Sequence, residues 1–179
     1  MARPTVFKAC IPGEDRGLYL LREACSSGAS AIVCLGMGSL KKGLCVETHA
    51  ANLIDNEQYC PPELNKKPID PNRPYGEKLR VDLSPWNIDR LRATCVSAEI
   101  PTEVSADAGG FCCNHLMYQI CRAQSAAPAY QKVPWIFIHV PCCPEAALPT
   151  TDYLYGRKTV MSVTSIISGL EILLREASL

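Results

Sequence analysis

The sequence predicts an α/β fold: a three-layer α/β/α sandwich with a mostly parallel or mixed central sheet between two layers of helices. Two observations predict it. Segments with helical periodicity alternate with short apolar runs along the chain. The most apolar run, residues 135–140 (WIFIHV), ends at Pro141 and is typical of a strand buried on both faces.

The order of elements follows from periodicity and from the residues that interrupt it. Helices are predicted at 14–26, from 84–86 onward, at 111–123 and at 160–177; strands are predicted at 31–35, 44–52, 102–105 and 135–140. Segment 44–52 also allows a helix. Ser84 is expected to cap its helix, with Pro85 in the first turn.

Two connecting segments stand out for their proline and glycine content. Five prolines between residues 55 and 82 predict a long irregular excursion on the surface, without a regular element. Residues 107–110 (DAGG) predict a tight turn between the strand at 102–105 and the next helix.

Composition predicts one globular domain, residues 1–179, with 47% hydrophobic residues. Lys+Arg and Asp+Glu both number 18, and this balance argues against nucleic acid or an anionic membrane as the main partner. No apolar run reaches the roughly 20 residues of a membrane span. The start, residues 1–4 (MARP), lacks the apolar stretch of a signal peptide, so we expect a cytoplasmic protein.

Eleven cysteines are many for a chain of this size. Their number is odd and two pairs are adjacent, which favours reduced thiols that mostly pack in the core. A metal site is conceivable from Cys112, Cys113, His115, Cys142 and Cys143. However, neither a Cys-x-x-Cys nor a His-x-x-x-His spacing occurs, so we expect no metal.

Two predicted strand ends carry residues suited to catalysis, since ligands of such sheets bind at the carboxyl ends of strands. Cys113 falls in the first turn of a predicted helix, where the helix dipole favours a thiolate, and glycines precede it. His139 ends the strand at 135–140 and is a candidate base. A packed cysteine and a structural histidine explain the same pattern, so these residues alone leave the choice open.

Three motifs resemble those of the pyroglutamyl peptidase I family of cytosolic cysteine exopeptidases. Residues 105–114 (SADAGGFCCN) are similar to its cysteine motif, and residues 137–141 (FIHVP) to its histidine motif. Gly36–Gly38 with residues 46–52 (VETHAAN) is similar to its glycine-rich turn and glutamate segment. The resemblance runs from about residue 5 to the last predicted helix.

The resemblance implies a catalytic triad and a substrate. Cys113 would be the nucleophile, His139 the base and Glu47 the residue that orients it, while Cys112 would be a spectator. Gly109, Gly110 and Phe111 would contact the substrate, a peptide with an N-terminal pyroglutamate. The implied chemistry needs neither a metal nor an organic cofactor, and a homo-oligomer is left open.

The sequence departs from the family pattern in two regions. Lys41 or Lys42 stands where the family has an arginine, and residues 55–60 contain none. The chain starts near the family's second strand, which would correspond to residues 5–9, so we expect a shortened member without the N-terminal strand and its aromatic loop. That expectation predicts weak turnover. The alternatives are a catalytically silent relative that binds a peptide or a partner, and a hydrolase of another small amide.

Overall fold

The computed structural model describes residues 15–38, 40–57, 60–131, 133–143 and 161–177. Within these residues, the central sheet contains the strands β1 (Ile32–Met37), β2 (Leu44–Glu47), β5 (Thr102–Ser105) and β6 (Trp135–Val140). Their order across the sheet is β1-β6-β2-β5. β6 is parallel to β1 and antiparallel to β2, and β2 is parallel to β5, so the sheet is mixed.

Helices cover both faces of this sheet. They are α1 (Arg16–Ser27), α2 (Ile88–Ser97), α3 (Cys112–Ala126), α4 (Pro128–Gln131) and α5 (Val163–Glu176). Residues of α1 and α3 share one core cluster with Trp135 and Phe137, and residues of α2 and α5 share another with Ile136 and Ile138. Side chains of β6 therefore alternate between two cores, which confirms the predicted α/β sandwich.

The long excursion contains a strand that the sequence analysis missed. β3 (His49–Ala51) pairs antiparallel with β4 (Lys78–Arg80), in a second sheet of two strands. All five prolines lie before β4, so their density could not exclude a strand at its end. The predicted strand at 44–52 is accordingly split into β2 and β3 at Thr48.

Asn52 anchors the proline-rich part of the excursion. Its amide nitrogen donates to the carbonyl oxygens of Asp70, Arg73 and Pro74 at 3.0–3.1 Å. Its amide oxygen accepts a hydrogen bond from the Asp70 backbone at 2.8 Å. Asn52 is fully buried, so these bonds compensate the loss of its contacts with water.

The expectation that Ser84 caps a helix is wrong. Ser84–Trp86 forms a short 3₁₀ turn, and α2 begins only at Ile88, after Asn87 in the left-handed conformation. Trp86 is completely buried, and its indole nitrogen donates to the carbonyl of Trp135 at 3.0 Å. Burial of Trp86 against β6 thus places the helix start two residues beyond the tryptophan.

The other predicted elements agree with the structure to within a few residues. β5 and β6 have the predicted bounds, and α1 is capped by Asp15, whose carboxylate accepts from Leu18 N at 2.9 Å. The proposed counterpart of the family's second strand, residues 5–9, lies outside the described residues. No helix within the described ranges is both long and apolar enough to cross a membrane.

Candidate active site

Glu47 and His139 meet at the centre of the sheet. Glu47 is the last residue of β2, and His139 lies near the end of the adjacent antiparallel strand β6. His139 Nδ1 and Glu47 Oε1 are 2.8 Å apart, as in a hydrogen bond donated by Nδ1–H. Glu47 is 0% exposed and His139 5%, so little water competes for this contact. The pair leaves Nε2 as the imidazole nitrogen that can accept a proton.

Cys113 lies beside this pair, in the first turn of α3. A side chain at Gly36, on β1, would place its Cβ 2.9 Å from both the Cys113 sulfur and the Phe137 ring. The Phe137 ring in turn lies 5.0 Å from the His139 ring, centroid to centroid. Cys113, Phe137 and His139 therefore surround the carboxyl end of β1, where only a glycine leaves room for the thiol.

The Cys113 thiol is protonated at neutral pH in this environment. Burial, with smaller contributions from Cys112 and Glu47, raises the pKa of the thiol to about 11. The dipole of α3, which was expected to favour a thiolate, does not outweigh burial. The described residues include a hydrogen bond from His139 to Glu47 but none between His139 and the Cys113 sulfur. Nucleophilic attack by this thiol therefore needs a base that removes its proton.

Glu47 is ionised although it is buried. Its Oε1 also lies 2.9 Å from Lys41 Nζ and 3.5 Å from the Cys45 sulfur. Burial alone would raise the pKa of the Glu47 carboxyl, but hydrogen bonds from His139 and Lys41 outweigh it and hold the pKa below its ordinary value. A carboxylate at this position stabilises positive charge on His139.

The loop between β5 and α3 brings the expected substrate-binding residues to the start of the helix. Gly109 has a φ of 82°, and its N–H donates to the Asp107 carboxylate at 2.9 Å, so this amide is already engaged. The Gly110 carbonyl accepts from Asp55 N at 2.7 Å, and Phe111 precedes α3. This loop is thus fixed by the start of the long excursion.

Asn114 is a functional candidate to which the sequence analysis assigned no role. Its Oδ1 accepts from Ala51 N at 2.7 Å, and its Nδ2 donates to the carbonyls of Ala51 and Leu53 at 2.8 and 3.0 Å. Asn114 is 1% exposed and directly follows Cys113. It therefore fixes the start of α3, and with it the thiol, to β3. The sequence signal was an asparagine directly after Cys113, in the first turn of the helix.

The residues considered for a metal site are not gathered in the structure. Cys142 Sγ contacts Met37 Sδ at 3.8 Å, while His115 Nε2 lies 3.2 Å from Gln119 Nε2. The described residues contain no cluster of three or more His, Cys, Asp or Glu side chains suited to a metal ion.

Comparison with known proteins identifies relatives along most of the chain. The model of the pyroglutamyl peptidase family matches residues 3–178. A pyrrolidone-carboxylate peptidase of Gloeobacter violaceus is 30% identical over 176 residues, which are 96% of this chain and 75% of the relative. One of Staphylococcus carnosus is 31% identical over 142 residues, 79% of this chain and 62% of the relative. The alignments thus span 75% and 62% of these two relatives.

Solved structures agree on the fold. Pyroglutamyl peptidase I of Bacillus amyloliquefaciens superposes with a TM-score of 0.68 and 26% identity, over 90% of this chain and 73% of that one. A mutant pyrrolidone carboxyl peptidase of Pyrococcus furiosus superposes with a TM-score of 0.66 and 23% identity, over 89% and 74%. On the match over residues 3–178, this chain belongs to the pyroglutamyl peptidase family of thiol proteases.

Proposed function

We propose that this protein is a cysteine exopeptidase that removes N-terminal pyroglutamate from peptides, with Cys113 as nucleophile, His139 as base and Glu47 as the residue that orients His139. The observation that carries the proposal is the buried hydrogen bond between His139 Nδ1 and Glu47 Oε1 at 2.8 Å, beside a cysteine at a helix start. The substrate is proposed from the relatives, which are named pyrrolidone-carboxylate peptidases.

The first half of the reaction forms a thioester. His139 Nε2 takes the proton from Cys113, because a thiol with a pKa of about 11 is a poor nucleophile at neutral pH without a base. The sulfur then attacks the carbonyl carbon that joins pyroglutamate to the next residue. Negative charge develops on the carbonyl oxygen, where backbone N–H groups at the start of α3 would stabilise it.

The second half releases both products. The imidazolium of His139 gives its proton to the leaving amine, so the peptide departs with a free N-terminus. Water, deprotonated by His139, then attacks the thioester and frees pyroglutamate and the Cys113 thiol. Glu47 stays ionised throughout and stabilises the imidazolium formed in each half. Neither a metal nor an organic cofactor enters these steps.

The proposal includes the cellular compartment in which the enzyme works. Ten cysteines lie in the described residues; all are free thiols, and six of them are buried. A nucleophilic thiol needs surroundings that keep it reduced, so we propose that the enzyme works in the cytoplasm.

Two variants in adjacent positions test the proposal. The purified protein is expected to release the amine from a pyroglutamyl amide and not from the matched prolyl amide, which lacks the lactam carbonyl. Cys113→Ser should abolish this release, whereas Cys112→Ser should keep most of it, because adjacent side chains project about 100° apart on a helix. Absence of pyroglutamyl hydrolysis by the wild-type protein, or equal losses in the two variants, would contradict the proposal.

A further inference from the structure

We propose that Lys41 is a positioning residue of this site: its ammonium group balances the buried charge of Glu47 and ties that carboxylate to the loop that leads to Cys113. The inference rests on the proposed function, because it assigns Lys41 a part in the same reaction. The hydrogen bonds and the ion pair of Lys41 within the described residues involve neither Cys113 nor the His139 ring, so Lys41 acts through Glu47.

The contacts of Lys41 connect two parts of the site. Its Nζ lies 2.9 Å from Glu47 Oε1, 3.1 Å from Ser105 Oγ and 3.4 Å from the Asp107 carbonyl. An ammonium group has three N–H donors, and the Cys45 sulfur competes with these three oxygens for them. Ser105 is the last residue of β5, and Asp107 lies in the loop between β5 and α3. One cation thus joins the end of β2 to the loop that carries Gly109, Gly110 and Phe111.

The buried carboxylate of Glu47 needs a positive charge nearby, and Lys41 supplies it. Lys41, His139 and Cys45 all approach Oε1, whereas Oε2 is buried and accepts no hydrogen bond of standard geometry among the described residues. The Ser105 hydroxyl lies close enough to the carboxylate to help lower its pKa. Burial raises the pKa of the Cys45 thiol to about 12, so Cys45 is neutral and supplies no positive charge. With a neutral His139, only Lys41 among these three neighbours of Oε1 balances the carboxylate.

Besides Lys41 and Glu47, the titratable groups around this pair are His139, Cys45 and Glu103 from the sheet and Cys112 and Cys113 from α3. Asp107 meets Lys41 through its backbone carbonyl. Glu103 and Glu47 both disfavour negative charge on the Cys45 sulfur, and Glu47 disfavours a thiolate at Cys113. Loss of the positive charge at Lys41 would therefore make the site net negative. His139 and Cys113 would then release their protons less readily.

The test is a comparison of pH profiles. Lys41→Met is expected to shift the acidic limb of kcat/KM to higher pH by about one unit, the order expected for a partly exposed charge close to the titrating pair. Lys41→Arg keeps the charge and should keep the wild-type profile. Lys42→Met is the matched control, because Lys42 is exposed and should not affect either limb. Coinciding profiles of Lys41→Met and wild type, or equal shifts in Lys41→Met and Lys41→Arg, would overturn the inference.

A second readout separates this inference from the proposed function. The rate of Cys113 alkylation by iodoacetamide, measured against pH and assigned by peptide mapping, requires no turnover. Its profile should move to higher pH in Lys41→Met and stay in place in Lys41→Arg. If no variant hydrolyses pyroglutamyl amides but this shift occurs, the proposed function fails and the role of Lys41 stands. If turnover occurs without any shift, the role of Lys41 fails.

A double variant covers the case in which Lys41→Met does not fold. If Lys41→Met does not fold, the double variant with Glu47→Gln decides the question, since it removes the buried negative charge that Lys41 balances. Recovery of folding in the double variant, followed by thermal unfolding, supports the inference. Failure of the double variant to recover would show that Lys41 acts by packing alone and would overturn it.

Discussion

Glu47 links the chemistry of the site to the stability of the fold. It is fully buried, and its carboxylate holds together side chains from β2, β6 and the segment between β1 and β2. Breaking such a buried pair by removing one partner leaves a charge without compensation and is strongly destabilising. Charge-conserving variants are therefore needed beside neutral ones to separate effects on activity from effects on stability at Lys41, His139 and Glu47.

The free energy of unfolding should fall at acidic pH, and Glu47→Gln should make this fall smaller. Burial raises the pKa of the Glu47 carboxyl, but the hydrogen bonds from His139 and Lys41 lower it by more. The pKa in the folded protein therefore lies below the ordinary value of 4.5. The folded protein thus binds this proton more weakly than the unfolded chain. The resulting stabilisation is present above pH 4.5 and is lost as the pH falls through the folded-state pKa.

Urea unfolding of both proteins between pH 3 and pH 7 would measure this difference. Other carboxyls with lowered pKa values, such as Asp70 and Asp82, remain in both proteins and cancel in the comparison. The free energy of unfolding should fall more steeply with acid in the wild type than in Glu47→Gln. Parallel curves would mean that Glu47 is not an ionised, hydrogen-bonded group in the folded state.

The packing of α1 on α3 holds the helix that carries Cys113. Gly17 lies in contact with α3, where an added Cβ would come within 2.6 Å of the Ile120 nitrogen and the Gln119 side chain. The Gly17 N–H also donates to Gln119 Oε1 at 3.2 Å. Gly17→Ala should therefore force the helices apart and destabilise the fold by about 1–3 kcal/mol, as overpacking of a core does.

Thermal or urea unfolding would measure the effect of Gly17→Ala. Arg22→Ala is the control, because Arg22 lies on the exposed side of the same helix. It should change the free energy of unfolding by less than about 0.5 kcal/mol. An equal effect of the two substitutions would show that α1 does not pack on α3 through Gly17.

Local sequence signals define the bounds of some elements, whereas tertiary contacts decide others. β5 and β6 have the predicted bounds because prolines or a glycine turn flank them, and these are local signals. β4 has only one half-buried residue between two exposed ones, and pairing with β3 stabilises it. Ser84 fails as a cap because burial of Trp86, a tertiary effect, decides where α2 begins.

At the scale of the molecule, the site is assembled from segments that are distant in sequence. The resemblance of three motifs predicted Glu47, Cys113 and His139 as partners, and the structure brings Glu47 to His139 at 2.8 Å. The contact of Lys41 with this pair could not be predicted, because it depends on the antiparallel pairing of β2 with β6 and on the path of the β5–α3 loop. The role of Asn114 depends in the same way on β3.

Trapping of the acyl-enzyme decides whether Cys113 receives the pyroglutamyl group. The protein is mixed with a pyroglutamyl amide, quenched in acid within the first turnovers and mapped by peptide mass spectrometry. We expect a pyroglutamyl thioester on Cys113 in the wild type, and none on Cys112. A thioester on another cysteine, or turnover of the amide by Cys113→Ala at the wild-type rate, would contradict it.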